Sequence, residues 1–293
     1  MKRRVNIPKI SIITPSLNQG KFLERTILSV LSQNYPNLEY GIVDGGSTDG
    51  SVKIIKRYAA NLKFWESRKD KGQWDAINKG FARTNGEIMT WLNGDDILMP
   101  GSLNLVANIF NQLPHVEWIS GIPTTINEEG FIMHVGFKPA YFRKFIVWGF
   151  HHGAALGYIM QEGTFWRRNL WEISGGNVIE ANYRMDYELW KRFAIYSPLT
   201  PVLTSLAAFR LNPNRKTLNF NSYFKEINVR FPRLTKLILF PSRLLVHFGL
   251  RKIGLSSRIT YNRQKNFWYY FPGWINSIKQ FQKMKIIKNE PLI

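Results

Sequence analysis

The first hundred residues alternate short apolar runs with longer amphipathic segments, and this alternation constrains the fold more than any other feature. Four runs have the length of β-strands: KISIITPS, LEYGIVDGG, LKFWES and GEIMTWLNGDD. The segments between them, 20–33, 51–62 and 72–84, predict helices. The first of these has its apolar residues at helical spacing, namely Phe22, Leu23, Ile27, Val30 and Leu31. This order of elements predicts an α/β fold with a mostly parallel sheet, flanking helices and right-handed crossovers.

Polar turns follow three of the predicted strands. They contain Thr14-Pro15-Ser16, Asp44-Gly45-Gly46 and Asp95-Asp96. In an open parallel sheet the carboxyl ends of the strands lie along one edge, and ligands bind beyond that edge. We therefore expect these three turns, which are tens of residues apart in the chain, to form one site.

Composition limits the kinds of chemistry this site can use. Hydrophobic residues make up 44% of the 293 residues, which is enough for a substantial core. The absence of cysteine excludes disulfides and thiolate metal sites, so any metal would need oxygen or imidazole ligands. The N-terminus is basic without an apolar stretch of signal-peptide length, and we expect no secretion signal. The uncharged run 145–161 is shorter than a usual membrane span, and we expect no transmembrane helix.

The formal net charge of +20 is concentrated at one end of the chain. Residues 201–293 contain 17 Lys and Arg against two Glu, a difference of +15. Here the cations alternate with Leu, Phe, Trp and Tyr, a composition typical of an interfacial membrane-binding element. Each basic residue near an anionic surface contributes about 1 kcal/mol. The alternative is a helical appendage packed on the core with its cations solvated. We place the boundary near Asn212-Pro213-Asn214, between a domain of residues 1–215 and a basic, mainly helical extension of residues 216–293.

Two turns contain residues suited to a nucleotide and a metal. Adjacent carboxylates such as Asp95 and Asp96 suit Mg²⁺ or Mn²⁺, which prefer hard oxygen ligands; the alternative is a helix cap or polar turn. The glycines after Asp44 would let backbone amides approach a nucleotide, and Asp44 could accept hydrogen bonds from a base or ribose. The alternative there is a tight turn before a capped helix. The spacing matches neither the dinucleotide-binding motif nor the P-loop.

Four motifs in this order closely resemble the family 2 glycosyltransferases: ISIITPSLNQGKF, VDGGSTDGS, DKGQWDAINKGF and WLNGDDILMPGSL. The resemblance covers roughly residues 9–216 and is densest up to residue 103. It implies the GT-A fold, a nucleotide-sugar-binding α/β domain, and sugar transfer with inversion. It also implies site residues. Nucleotide binding falls to Thr14, Pro15, Asn18, Asp44, Asp75, Asn78 and Asn93, and metal binding to Asp95 with Asp96 beside it.

The later motif RMDYELWKRF resembles the acidic motif that opens a helix in this family, and it matches the catalytic base to Asp186. Inverting transfer needs one carboxylate to accept the proton of the attacking hydroxyl. The alternative is an acidic residue in a first helical turn, favoured by the helix dipole. The stretch QEGTFWRRNLW resembles the acceptor side of relatives and implies acceptor contacts for Gln161, Glu162, Trp166 and Arg167. Its alternative is an aromatic core.

Three positions depart from the family pattern. Asn93 stands where many relatives have the first Asp of an Asp-x-Asp element, and Ile77 stands where an Arg is common. Asn212 stands where relatives often have a His, which puts a third protein ligand to the metal in doubt.

The sequence therefore predicts an inverting glycosyltransferase that depends on a divalent metal, Mn²⁺ or Mg²⁺. The donor is expected to be UDP-linked, and the acceptor a saccharide or lipid-linked saccharide in cell-surface polysaccharide synthesis. The expected location is cytoplasmic, peripheral on the cytoplasmic face of the membrane, bound to an anionic surface. One alternative is a catalytically inactive sugar-binding or scaffold protein. A basic nucleic-acid-binding protein would leave Asp44, Asp95 and Asp186 without a role, and we expect no nucleic-acid partner.

Overall fold

A computed structural model describes residues 7–136, 141–152, 156–213, 220–227, 258–262 and 267–271. Its first part confirms the predicted alternation of strands and helices. The elements are β1 (Ile10–Ser16), α1 (Leu23–Leu31), β2 (Leu38–Asp44), α2 (Ser51–Tyr58), a 3₁₀ helix (Ala59–Asn61), β3 (Phe64–Ser67), α3 (Gln73–Phe81) and β4 (Ile88–Trp91).

The second part of the chain is less regular and contains shorter strands. It comprises β5 (Ile97–Leu98), α4 (Ser102–Gln112), β6 (Trp118–Ser120), β7 (Thr124–Ile126), β8 (Ile132–Val135), α5 (Arg143–Val147), β9 (Thr164–Arg167), α6 (Arg168–Ile173), α7 (Met185–Tyr196), β10 (Thr200–Pro201) and β11 (Ala207–Arg210). Beyond residue 215 the described elements are α8 (Phe220–Ile227), β12 (Arg258–Asn262) and β13 (Phe267–Phe271).

A seven-stranded sheet with the order β10-β6-β9-β4-β1-β2-β3 forms the centre of the molecule. Neighbouring strands are parallel except at β9, which runs antiparallel to both β4 and β6. Helices flank this sheet, and the architecture is the predicted α/β fold of the GT-A type. The reversal of β9 fixes which residues reach each edge. Arg167 pairs with Ile88 at the amino end of β4, whereas the residues that precede β9 lie at the carboxyl end of β4.

Both faces of the sheet are covered, which explains why successive residues of β1 are buried whichever face they point to. All seven residues of β1 are buried. Ile12 packs into one apolar layer together with Leu23 and Val106 of the flanking helices. Ile13 points the opposite way, as successive strand residues do, into the second layer. There α3 lies close to β1 because residue 80 is glycine: a Cβ at this position would lie 2.5 Å from Ile13 Cγ2.

A second sheet, with the order β5-β11-β7-β8, lies beside the end of β4. Within the segment 116–136, β7 and β8 form a hairpin, whereas β6 joins the central sheet. β11 runs antiparallel to β5, with Ala208 opposite Ile97. This pairing brings residues 207–212 next to Asp95 and Asp96.

The described part of the C-terminal extension includes a β-hairpin that the sequence reading did not predict. β12 and β13 pair in antiparallel register, and Ile259 forms a parallel bridge with Val202 of the first domain. Ile259 is fully buried in the main apolar layer, and Trp268 is nearly so. The N–H of Trp268 donates to Gln112 Oε1 at 3.2 Å. Residues of both strands, 258–262 and 267–271, therefore contribute to the core of the first domain. Most of the basic extension lies outside the described residues.

Within the described ranges, every helix falls short of the length and apolar character needed to cross a membrane.

We expect Ile259→Ala to lower the free energy of unfolding by about 2–5 kcal/mol, because it removes a buried side chain and leaves a cavity. Ile132→Ala makes the same chemical change on β8, where the side chain is 54% exposed, and should cost less than about 1 kcal/mol. Urea denaturation followed by circular dichroism measures both. Equal, small effects would show that the hairpin does not pack on the core.

Candidate active site

Asp95 and Asp96 follow β4, as predicted, but their environments differ. Asp96 is fully buried: its Oδ1 accepts the N–H of Arg210 at 2.8 Å, and its Oδ2 accepts an N–H of the Asn93 amide at 3.1 Å. Asp95 is only half-buried, and its Oδ2 accepts an N–H of the Asn212 amide at 2.8 Å. Asp95 is therefore partly accessible at the carboxyl edge of the sheet, and we call the space beyond this edge the cleft. Asp96 instead anchors the turn to β11.

Arg210 lies beside Asp95 and Asp96, and these three residues form what we call the carboxylate corner. Sequence analysis did not identify Arg210 as a site residue. Its side chain is fully buried. The guanidinium donates to the backbone carbonyls of Asp95 at 2.6 Å, Asn127 at 2.9 Å and Glu128 at 2.8 Å, and it lies over the Phe22 ring. One cation thus joins the turn after β4 to the turn of the β7–β8 hairpin. In a chain with 40 Lys and Arg, a single arginine in a short strand gave no distinguishing pattern.

Asn93 extends a chain of amide contacts from α3 to the carboxylate pair. Gln73 Nε2 donates to Asn93 Oδ1 at 2.7 Å, and Asn93 in turn donates to Asp96. Where an aspartate in this position would add a third negative charge, the amide both accepts and donates. The nucleotide-binding role of Asn93 remains a prediction. Gln73, which contacts Asn93, was not identified from the sequence motifs.

Asp186 and Glu162 bring two more carboxylates to the same edge. Asp186 is the second residue of α7, and its Oδ1 accepts the N–H of Tyr187 at 2.7 Å. Glu162 is buried just before β9, next to Gln161, whose Nε2 donates to the carbonyl of Trp91 at 2.6 Å. Asp96 and Asp95 lie close enough to Glu162 for their charges to interact, and so does Asp186.

Burial dominates the protonation of this group. It raises the pKa of Asp186 to about 6. It raises the pKa of Glu162 to about 8, with the charges of Asp186 and Asp95 adding to the shift. Burial raises the pKa of Asp96 well above its ordinary value, with Asp95 and Glu162 adding to the shift, and it also raises the pKa of Asp95. The cluster therefore concentrates carboxyl groups where water is excluded, and a cation bound there would favour their ionised forms.

The residues present fit a divalent cation shared with a ligand, but not a complete protein cage. Carboxylate and amide oxygens are the donors that Mg²⁺ and Mn²⁺ prefer. Within the described part of the chain, no three side chains of the metal-ligating types are grouped to hold an ion. Asp95 is the accessible carboxylate, Asp96 is already occupied by Arg210, and Asn212 stands beside Asp95. An ion here would need further oxygen ligands, which a diphosphate has.

Asp44 holds the turn that follows β2. Its fully buried carboxylate accepts the N–H groups of Gly46 at 3.1 Å and Ser47 at 2.8 Å, the hydroxyl of Ser67 at 2.7 Å and the hydroxyl of Ser47. In this structure Asp44 stabilises a tight turn, which was the alternative to nucleotide binding. Contact with a base remains a prediction, and it would require one of these donors to share the carboxylate.

The loop after β1 interlocks with the loop after β2. Thr14 is buried, with its hydroxyl 3.0 Å from that of Tyr40, and Pro15 is buried beside it. Asn18 adopts a left-handed backbone conformation at φ 53° and accepts the N–H of Thr48 at 2.9 Å, while its own N–H donates to Ser47 Oγ at 2.7 Å. These hydrogen bonds join the two loops into one surface, which we call the wall. Nucleotide binding by this surface remains a prediction.

Asp75 and Asn78 lie on α3, but with different partners. Asp75 accepts the N–H of Lys71 at 3.1 Å and pairs with Lys79 at 2.6 Å. Asn78 pairs in both directions with the backbone of Val178, at 2.9 Å each way. Asn78 therefore fastens the segment between α6 and α7 to α3; donor contacts for either residue remain predictions.

Two of the four expected acceptor contacts are wrong for a physical reason. Trp166 is fully buried and packs edge-to-face on Trp91 and Trp190, so its ring cannot stack on a sugar. Arg167 stacks on Phe110 and donates to backbone carbonyls at residues 110, 113 and 116. Because β9 is antiparallel to β4, Arg167 lies at the edge of the sheet opposite the site. Gln161 and Glu162 do lie at the site edge, and acceptor binding by them remains a prediction.

Comparison with known proteins agrees with this architecture. The model of the family described as Glycosyl transferase family 2 matches residues 11–161, just over half of the chain. An uncharacterised glycosyltransferase of Nostoc sp. is 33% identical over 135 residues, which covers 41% of this chain and 40% of that protein. Chondroitin synthase of Escherichia coli is 24% identical over 237 residues, which covers 78% of this chain and 33% of that protein. The chain thus spans less than half the length of these relatives.

Solved structures share the fold at low sequence identity. TarS of S. aureus, residues 1–349 in complex with UDP-GlcNAc, aligns with a TM-score of 0.57 at 16% identity, covering 84% of this chain and 75% of that chain. The mannosyltransferase PcManGT from Pyrobaculum calidifontis, in complex with GDP-Man and Mn²⁺, aligns with a TM-score of 0.54 at 18% identity, covering 83% and 71%.

The placement of Trp166 can be tested by truncation. We expect Trp166→Ala to lower the free energy of unfolding by about 3–5 kcal/mol, because the ring fills the core. Trp148→Ala, at a position 59% exposed, should cost about 1 kcal/mol or less. Urea denaturation of the two variants measures this. If Trp166→Ala keeps wild-type stability but weakens saccharide binding, the ring belongs in the cleft after all.

Proposed function

We propose that this chain, which belongs to glycosyl transferase family 2, transfers a sugar with inversion from a nucleotide-sugar donor to a saccharide or lipid-linked saccharide acceptor. The observation that carries the proposal is the convergence of Asp95, Asp96, Glu162 and Asp186 at one edge of the sheet. Asp95 and Asp186 each lie close enough to Glu162 for their charges to interact. This supports a division of roles in which one carboxylate holds a metal with the diphosphate and another accepts the acceptor's proton, the two requirements of inverting transfer.

The donor is proposed to be UDP-linked. TarS binds UDP-GlcNAc in its complex, and the mannosyltransferase binds GDP-Man, so nucleotide sugars are the donors of two structural neighbours. In this chain the wall formed by the loops after β1 and β2 stands beside the carboxylate corner. Its interlocked hydrogen bonds give it a fixed shape, as preorganised binding requires.

The proposed chemistry is a single in-line displacement. The oxygen of an acceptor hydroxyl attacks the anomeric carbon, the bond from that carbon to the diphosphate oxygen breaks, and the nucleoside diphosphate leaves. Asp186 accepts the hydroxyl proton as general base. Its carboxylate is held by the N–H of Tyr187, which fixes its direction. Mn²⁺ or Mg²⁺, when bound by Asp95 with Asp96 beside it, would supply positive charge that favours the departing diphosphate.

We also propose a peripheral location on the cytoplasmic face of a membrane, and a role in cell-surface polysaccharide synthesis. Support comes from residues 201–293, which contain 17 Lys and Arg against two Glu and are rich in aromatic residues. Such a segment binds anionic lipid headgroups and would bring the cleft to a lipid-linked acceptor.

An inactive sugar-binding protein is the second candidate, and one observation favours it. The Asn212 amide donates to a carboxylate oxygen of Asp95, the oxygen that a metal would otherwise use. The two candidates differ in a single respect: the enzyme breaks the bond between sugar and diphosphate, and the binding protein does not.

Slow donor hydrolysis separates them without knowledge of the acceptor. We expect the full chain to release UDP from at least one of a panel of UDP-sugars, faster with Mn²⁺ than with EDTA. Asp95→Ala should abolish the Mn²⁺ stimulation, whereas Glu129→Ala, at an exposed site, should keep it. If the chain binds a nucleotide sugar without cleaving it, the inactive candidate is correct; if it neither binds nor cleaves any, both fail.

The metal assignment has a readout independent of activity. Mn²⁺ with UDP should raise the melting temperature of the wild type by several degrees, because ligands that bind only the folded state stabilise it. This increase should be lost in Asp95→Ala and kept in Glu129→Ala. An increase that Asp95→Ala retains would remove Asp95 from the metal site.

The base assignment predicts a pH dependence. Asp186 must be ionised to accept a proton, and its pKa is about 6. The rate of donor cleavage should therefore be constant above this pH and fall roughly tenfold per pH unit below it. Asp186→Asn should lower the rate by about 10²-fold or more. Glu188→Gln changes a carboxylate on the same helix, one paired with Lys191, and should change the rate little. A wild-type rate in Asp186→Asn would exclude Asp186 as the base.

A further inference from the structure

The segment between α6 and α7, residues 174–184, leads directly into the first turn of α7, which contains Asp186. Its first half is fastened to the core domain. Asn78 pairs with Val178 in both directions, and Arg192 donates to the carbonyls of Ser174 at 2.7 Å and Asn177 at 2.5 Å. Val178 is fully buried. These contacts end several residues before the start of α7.

The second half of the segment is fastened by the C-terminal extension. Glu226, on α8, accepts the backbone N–H groups of Asn182 at 3.0 Å and Tyr183 at 3.2 Å through a single oxygen, Oε1. Arg184 is the N-cap of α7, and within the described residues its side chain makes no capping hydrogen bond. The carboxylate that accepts the N–H groups of the two residues before Arg184 therefore comes from α8. A negative charge at that end also suits the helix dipole.

The position of α7 determines where the Asp186 carboxylate points. Asp186 Oδ1 accepts the N–H of its neighbour Tyr187 at 2.7 Å, so the carboxylate is fixed to the backbone of its own first turn. Any shift of that turn moves the carboxylate by the same amount. A general base must lie within about 2.6–3.2 Å of the proton it accepts, and a displacement of about 1 Å can cost on the order of 100-fold in rate.

We propose that Glu226 is a positioning residue, which holds the start of α7 and thereby places Asp186 for proton transfer. The inference rests on the proposed function, because it takes Asp186 as the base. The role is one of position and not of charge: burial and the N–H of Tyr187 set the protonation of Asp186. The extension thus contributes to catalysis through α8.

The structural half of the proposal can be tested without a substrate. In Glu226→Ala, amide hydrogen exchange at residues 182–183 should speed up roughly tenfold or more, because both N–H groups lose their acceptor. Glu226→Gln keeps an oxygen acceptor of the same length and should keep most of the protection. Lys225→Ala, an exposed position on the same helix, is the matched control and should exchange as the wild type does.

The catalytic half uses cleavage of UDP-GlcNAc by the full chain, or of another UDP-sugar if the donor panel selects it. We expect Glu226→Ala to lower kcat about tenfold or more, with the donor KM and the midpoint of the acidic limb unchanged. Glu226→Gln should recover kcat to within about threefold of the wild type. Glu226→Asp shortens the side chain by one methylene and should lower kcat by an intermediate factor. It serves as the test if Glu226→Ala does not fold.

The outcomes separate this inference from the proposed function. If Asp186→Asn loses cleavage but folded Glu226→Ala or Glu226→Asp keeps the wild-type kcat, the inference is wrong and the proposed base stands. A parallel change of KM and kcat in the Glu226 variants, without recovery in Glu226→Gln, would also overturn it. If Asp186→Asn cleaves the donor as the wild type does, the proposed function fails first.

Discussion

The buried carboxylate of Asp96 is the constraint on which the rest of the site depends. Burying a carboxyl group costs free energy, and more when it is ionised, unless hydrogen-bond partners replace the lost hydration. Here the donors are the N–H of Arg210 and the amide of Asn93. Each of them belongs to an element that must itself be in place. The second sheet, the hairpin turn and the amide chain from α3 therefore converge on the end of β4.

The same desolvation gives the cleft its chemical character. A carboxyl group whose pKa is raised in the folded state destabilises the fold as pH rises through that value, since ionisation is easier in the unfolded chain. Asp95, Asp96, Glu162 and Asp186 all have pKa values shifted upward. Asp186, with a pKa of about 6, is ionised at neutral pH and lowers the stability of the ligand-free fold there, whereas Glu162, with a pKa of about 8, is mostly protonated. A cation bound at this edge would favour the ionised carboxylates.

The alternation of strands and helices and the gathering of Asp44, Asp95 and Asp96 could be predicted, the latter because parallel strand ends share an edge. The direction of β9 could not, since the pattern of a four-residue strand does not reveal its direction. That direction places Gln161 and Glu162 at the site edge of the sheet and Arg167 at the opposite edge. The hairpin of β12 and β13 was missed for a related reason. Composition shows cations and aromatics, whereas the pairing of Ile259 with Val202 depends on register.

The contact between Asp96 and Arg210 joins residues 114 positions apart in the chain. Contacts of such separation close late in folding, because loop entropy must be overcome before they add stability. The predicted alternation of the first hundred residues can pair locally, but the carboxylate corner stays open until β11 returns to it. On the ribosome, a nascent chain would carry a nearly complete sheet before its acidic cleft had formed.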